Sequence, residues 1–274
     1  MLESFLITSR ETLEASLVVG IVVSYLNRTD NKHYKKTVGY GIAAGILASL
    51  IAAFLFIRLA GDFQGRAEQL FEGVTMLIGA FLLTTMILWM MRQRQVTQKI
   101  HSRVEQHLQQ ENKLFSHFGI FVLIAVAIIR EGVETVIFMS AINYSRGAVS
   151  FIGASLGILV AVIAGYLVYI GSKKINLKKV FTISSILLIL FAAGLVVRSS
   201  GEFEEAGLVS GIVAPLFDLN PIITQESFFG SFLHGFLGYT AAPSLLQVIV
   251  YILYLAIIFY LYRRAIHAVK NYQS

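Results

Sequence analysis

The sequence predicts an all-α integral membrane protein of seven transmembrane helices, organised as a 3+3 inverted repeat plus a seventh helix. Three observations predict it. Long uncharged runs recur along a chain that is 56% hydrophobic with only three prolines, and the mean hydropathy is +0.73, a composition suited to lipid as solvent. Basic residues fall on alternate sides of successive runs. A charged pentapeptide in the first run returns in the fourth.

Seven spans are read at about 4–26, 37–60, 70–91, 117–142, 149–171, 180–200 and 244–262, each near the roughly 20 residues that cross a bilayer. Span 1 is followed by Arg28, Lys32, Lys35 and Lys36, and span 3 by Arg92, Arg94, Lys99, Arg103 and Lys113. Span 5 is followed by Lys173, Lys174, Lys178 and Lys179, and span 7 by Arg263, Arg264 and Lys270. The other side receives only Arg58, Arg66, Arg146 and Arg198. The positive-inside rule therefore places the N-terminus outside and the C-terminus in the cytoplasm. No cleavable leader is expected, because the first apolar run carries charges and lacks a basic start.

Spans 2 and 5 share a gapless pattern, Gly41 to Ala53 against Gly153 to Gly165, with small residues at Gly41/Gly45 and Gly153/Gly157 that let helices approach closely. With three spans per half, the second copy enters from the opposite face, which is the inverted-repeat arrangement of many carriers. The expected divisions are a first repeat over 1–91, a cytoplasmic linker over 92–116, a second repeat over 117–200, an acidic extracytoplasmic loop over 201–243, and the seventh helix with its tail over 244–274. Ile100, Val104, Leu108 and Phe115 recur at near-helical spacing in the linker, which suits a docked amphipathic helix. The second part of the loop, Phe228 to Tyr239, suits either the interface or a segment re-entering the membrane.

The pentapeptides are Arg10-Glu11-Thr12-Leu13-Glu14 and Arg130-Glu131-Gly132-Val133-Glu134. An ionisable group at mid-bilayer costs about 2.5–3.5 kcal/mol, so six facing lipid are opposed by roughly 15–20 kcal/mol. They must face protein, water or an ion. Helical spacing puts each Arg and its two Glu on one side of a turn. The plain alternative is an Arg–Glu ion pair within each helix, although Arg preceding Glu at i, i+4 is the less favourable order.

Two motifs brought together by the repeat axis supply four carboxylates, Glu11, Glu14, Glu131 and Glu134, balanced in part by Arg10 and Arg130. Such an oxygen-only site suits a hard cation. Cysteine is absent, which excludes thiolate and iron–sulfur chemistry. His33, His101, His107 and His267 are expected in the cytoplasm, His117 at the start of span 4 and His234 in the outer loop, so the nitrogen-rich sites of zinc, copper or haem are not expected within the bilayer. Residues chemistry alone leaves Mg, Ca, Mn and iron open. Glu202, Glu204, Glu205 and Asp218 in the outer loop are candidates for recruiting cations, against the ordinary reading of a solvated acidic loop, and Glu226 adds a further acid. Glu72, near the outer end of span 3, either faces the same route or caps the interface.

An Arg-Glu-x-x-Glu motif in spans 1 and 4 of a seven-span chain resembles the oxidase-dependent iron transporter family, which comprises the fungal high-affinity iron permeases and the bacterial EfeU-type permeases. Glu202 to Gly207 and Gly238 to Ser244 also resemble bacterial members. The resemblance implies a non-enzymatic permease of the bacterial cytoplasmic membrane importing ferric iron as its cargo, without a cofactor. It also implies that a separate extracytoplasmic protein oxidises ferrous iron and that a separate donor delivers it. It carries the role of iron ligand to Glu11, Glu14, Glu131 and Glu134. The motif has Val133 where Leu is commoner, and the acidic loop signature of fungal members is absent. The alternatives are a carrier of another hard or divalent metal or of protons, and an intramembrane enzyme using paired carboxylates, which would need a nucleophile or second ligand type. A nucleic-acid partner is not expected despite the net charge of +6, since the basic residues follow membrane topology.

Overall fold

The computed structural model describes residues 1–92, 113–146, 149–169, 177–209, 213–224 and 238–271, with Ser227, Gly230, Leu233, His234 and Leu237 between the last two stretches. Most of the 92–116 linker, Glu226 and half of Phe228 to Tyr239 lie outside the described residues. Seven long helices and no strand are found among those described. They are α1 (Leu2–Arg28), α2 (Lys35–Gly61), α3 (Arg66–Arg92), α4 (Lys113–Arg146), α5 (Phe151–Tyr169), α6 (Leu177–Glu205) and α7 (Leu245–Asn271), each overlapping one expected span.

Three stretches, Lys32–Gly61, Arg66–Leu88 and Thr182–Glu205, are long and apolar enough to cross a membrane on composition, and Phe151–Leu167 and Leu245–Leu261 are shorter apolar helices. α1 and α4 differ because each carries its three-charge motif in mid-helix. α1 ends where Asp30 takes a left-handed conformation, φ 56°. The Asn31 amide then donates to the Leu26 carbonyl at 2.9 Å, the turn that closes a helix and satisfies its last carbonyls.

The described chain forms two compact units. The first contains Met1–Ile57, Arg94–Val136 and Ser150–Val180, and the second Arg58–Gln93, Ile137–Val149 and Phe181–Ser274. In the first, α1 packs on α5 and α2 on α4, each through glycines. A Cβ at Gly157 of α5 would lie 2.5 Å from the Phe5 carbonyl oxygen, and one at Gly45 of α2 would lie 2.6 Å from Ile128 Cβ and 3.1 Å from the Ala125 carbonyl oxygen. Gly41 seats against the Phe121 carbonyl as Gly153 seats against that of Met1. The two charged helices are thus received by the glycine helices at equivalent positions: Met1 matches Phe121, and Phe5 matches Ala125, with the same interval that separates Arg10 from Arg130. The Thr8 hydroxyl donates to the Ala154 carbonyl at 2.9 Å, and Val22, Leu26, Tyr34, Val38, Ile120 and Ile124 form a buried cluster at the far end.

In the second unit, the Ser199 hydroxyl donates to the Gly73 carbonyl at 2.8 Å, tying α6 to α3. Thr84 and Tyr254 share a hydroxyl hydrogen bond of 2.7 Å between α3 and α7. Gly238, with φ 66°, brings its backbone against Gly194 of α6. Gly194 precedes the end of α6 by eleven residues, about 16 Å along the axis, so the chain before α7 descends beside the helix.

One expected boundary is corrected. Span 6 was expected to end at 200, with Glu202, Glu204 and Glu205 opening the loop, but α6 continues through Glu205. It stops at Gly207, φ 68°, with the Leu208 amide donating to the Phe203 carbonyl at 3.0 Å, the left-handed closure that glycine permits.

Candidate metal centre

Both motifs sit in the first unit, on the two helices that the glycine seats hold. On α1, Arg10 and Glu11 are 3% and 1% exposed. Arg10 Nε donates to Glu14 Oε1 at 3.3 Å, and Arg130 Nε donates to Glu134 Oε1 at 2.8 Å. The intrahelical ion pair that the sequence weighs as the plain alternative is therefore formed in both motifs, because i, i+4 spacing puts the partners in reach whatever their order. The copies differ in surroundings, since the Arg130 side chain is 48% exposed.

These pairs leave the first glutamate of each motif differently placed. Glu131 is buried, its Oε1 3.9 Å from Arg130 Nε. Both oxygens of Glu11 and Oε2 of Glu131 are buried and receive no hydrogen bond from an N–H or hydroxyl donor, leaving the two carboxyl groups to face each other. A buried carboxylate that faces another carboxyl group carries a desolvation penalty of several kcal/mol when both are ionised. It requires a proton or a cation.

Oxygens of Glu11, Glu131 and Glu134 lie within 4.8 Å of one another. Metal–oxygen bonds of about 2.0–2.6 Å place two oxygens on one ion at most about 4–5 Å apart, so the three carboxylates can share a hard cation with small side-chain movements. Glu14, the fourth expected ligand, is outside this trio and holds Arg10.

Hydroxyl groups complete the surroundings, and sequence reading passed them over. Thr8, Thr12, Ser49 and Thr135 line one cavity with Glu11 and Glu131. The single Thr8 hydroxyl proton is shared between the Ser4 and Ala154 carbonyls at 2.8 and 2.9 Å, while Ser49 donates to the Gly45 carbonyl at 2.8 Å and Thr135 to that of Glu131 at 2.7 Å. With their protons committed to backbone, these three present lone pairs, the polarity a cation needs. The detectable signal was Thr8, Thr12 and Ser16 at every fourth residue of one helix face. Gly132 is required by this packing, because a Cβ there would overlap the Ser49 side chain.

The acidic residues expected on the outer side, Glu72, Glu202, Glu204, Glu205 and Asp218, belong to the second unit. Glu72 and Glu202 interact electrostatically with each other and with Glu205, and Glu68, which sequence reading omitted, joins them. Glu204 Oε2 accepts from the Ser244 hydroxyl at 2.8 Å and Glu205 Oε2 from Gln69 at 3.4 Å. Asp218 is apart from them, exposed, its Oδ1 accepting from the Asn220 amide at 2.9 Å in a local turn.

A profile of the Iron permease FTR1 family matches residues 1–270. The chain belongs to that family. It is similar to the ferrous iron permease EfeU of Yersinia pestis, 33% identical over 262 residues that cover 93% of this chain and 90% of that protein. It is also similar to the ferrous iron permease EfeU of Escherichia coli O6:K15:H31 (strain 536 / UPEC), 32% identical over 258 residues covering 93% and 92%. No solved structure matches the chain. As an iron permease of the FTR1 family it is a membrane transporter, and the apolar helices supply the spans that this requires.

Proposed function

We propose that this permease imports iron across the bacterial cytoplasmic membrane through the carboxylates of its two motifs, with Glu11, Glu131 and Glu134 as direct ligands. Arg10 and Arg130 hold Glu14 and Glu134 by ion pairs and offset part of the site's negative charge. The observation that carries this reading is the convergence of three carboxylate oxygens within 4.8 Å, on helices from opposite halves of the chain. All seven helices cross the bilayer in this reading, with the N-terminus outside, and the two halves form an inverted repeat. Support comes from the equivalent seating of α1 on α5 and α4 on α2. Rocking of one part against another would then expose the ion alternately to each side.

The cargo proposed is ferric iron, supplied outside by a separate oxidase and donor, with Glu68, Glu72, Glu202 and Glu205 as the acidic entrance. A second reading, ferrous iron, is favoured by the names of the relatives and by charge. Four glutamates and two arginines carry −2 when ionised, which neutralises a divalent ion.

Reconstituted vesicles test both. Glu11→Gln and Glu131→Gln are expected to lower radiolabelled iron uptake at least ten-fold at unchanged protein level, and undiminished uptake would end the assignment. Uptake under ascorbate compared with uptake of chelated ferric iron separates the oxidation states, and competition by Mn or Mg tests for another metal.

A further inference from the structure

The cavity that Glu11 and Glu131 line with the hydroxyls at one end, about 800 Å³ in all, continues away from them within the first unit as an apolar groove. Its walls are hydrocarbon apart from the oxygen-bearing end: Val19 and Val23 of α1, Ile42 and Ile46 of α2, Ile158 and Val162 of α5. It opens sideways between α2 and α5, where Leu50 and Val162 of the lining are 63% and 50% exposed. An apolar cavity does not hold water well, and this one faces lipid in the proposed topology.

We propose that this groove binds an anionic glycerophospholipid of the cytoplasmic leaflet, one acyl chain lying in the cavity and the headgroup on the basic end of α1 and α2. Length supports it. From Ile42 to Ser49, which packs on Gly132 at the level of the carboxylates, the groove runs about 10 Å along α2, room for the inner part of an acyl chain within a leaflet about half of the roughly 30 Å hydrocarbon core. Its lower end is at Val23, Ile42 and Tyr169. Arg28 is one and a half turns beyond Val23, Lys35 and Lys36 are about two turns before Ile42, and all three are exposed. The Asn27 amide donates to the Tyr169 hydroxyl at 2.7 Å at this level, and tyrosine favours the membrane–water interface. Basic pockets between membrane helices on the cytoplasmic side take anionic headgroups. The acyl chain would form a hydrocarbon seal beneath Glu11 and Glu131.

The leaflet assignment rests on the topology proposed above; the groove and its basic end do not. Native mass spectrometry of the detergent-purified full chain, exchanged against phosphatidylglycerol or phosphatidylcholine, tests the site. The expected result is one retained phosphatidylglycerol per chain, with phosphatidylcholine lost at the same detergent concentration. Gly20 lines the groove, and a Cβ there meets only Tyr169 Cβ, at 4.0 Å, so Gly20→Leu is expected to abolish retention by filling the space. Val162→Trp does the same from the rim, and melting curves show that either variant is folded. Lys35→Gln with Lys36→Gln should weaken retention about five-fold per lysine. No retained lipid, equal retention of both lipids, retention unchanged by both filling variants, or indifference to the lysine changes would overturn the proposal. Iron uptake by Glu11→Gln, measured separately, bears on the transport reading alone.

Discussion

At the scale of single residues, duplication of the motif has not produced duplicate environments. Arg10 is buried against Glu14, whereas Arg130 reaches outward while pairing with Glu134. Removing one partner of a buried ion pair leaves the other charge uncompensated and costs about 3–5 kcal/mol, while an exposed pair contributes about 0–1 kcal/mol. Arg10→Gln is therefore expected to lower the melting temperature of the purified protein clearly more than Arg130→Gln. Equal losses would mean the burial difference has no energetic weight. The candidate ligands were legible because charges inside apolar runs are conspicuous and occur twice. Their division of labour was not, because spacing within one helix does not fix how that helix is rotated against its neighbours. That rotation comes from tertiary fits such as Ser49 against Gly132, which turn Glu11 and Glu131 toward each other and leave Glu14 with Arg10.

Among the helices, hydropathy located each of the seven long helices among the described residues, since a long apolar run folds as a helix wherever it packs. Ends were less legible. Glu202, Glu204 and Glu205 read as loop because they are charged, yet the hydrogen-bonded stop is at Gly207, whose freedom at positive φ was the available signal. The glycine pattern shared by spans 2 and 5 was legible as a packing device, but not which helix each would receive. Gly157→Ala would drive a Cβ to 2.5 Å from the Phe5 carbonyl oxygen, and Gly45→Ala to 2.6 Å from Ile128 Cβ. Overpacking of this kind costs about 1–3 kcal/mol, so both variants should melt at lower temperature in detergent. Gly39→Ala, on the same helix as Gly45 with nothing within 4 Å, is the control and should melt like the parent or slightly higher, alanine being the better helix former.

For the molecule as a whole, orientation is the property most directly open to test. The chain has no cysteine, so any introduced thiol is a unique label site. Asp218→Cys is expected to react with a membrane-impermeant maleimide on intact cells, and His33→Cys only after permeabilisation. The reverse pattern would invert the topology and with it the direction proposed for iron.

Seating each charged helix on a glycine helix from the other half also sets the order of events on the ribosome. Thr8 of α1 is made 146 residues before its acceptor Ala154, an interval of roughly 7–30 s at synthesis rates of about 5–20 residues per second. In the proposed topology α1 waits that long in the membrane for its partner helix, and the Arg10–Glu14 pair, closed within the helix itself, offsets two of its three motif charges from birth.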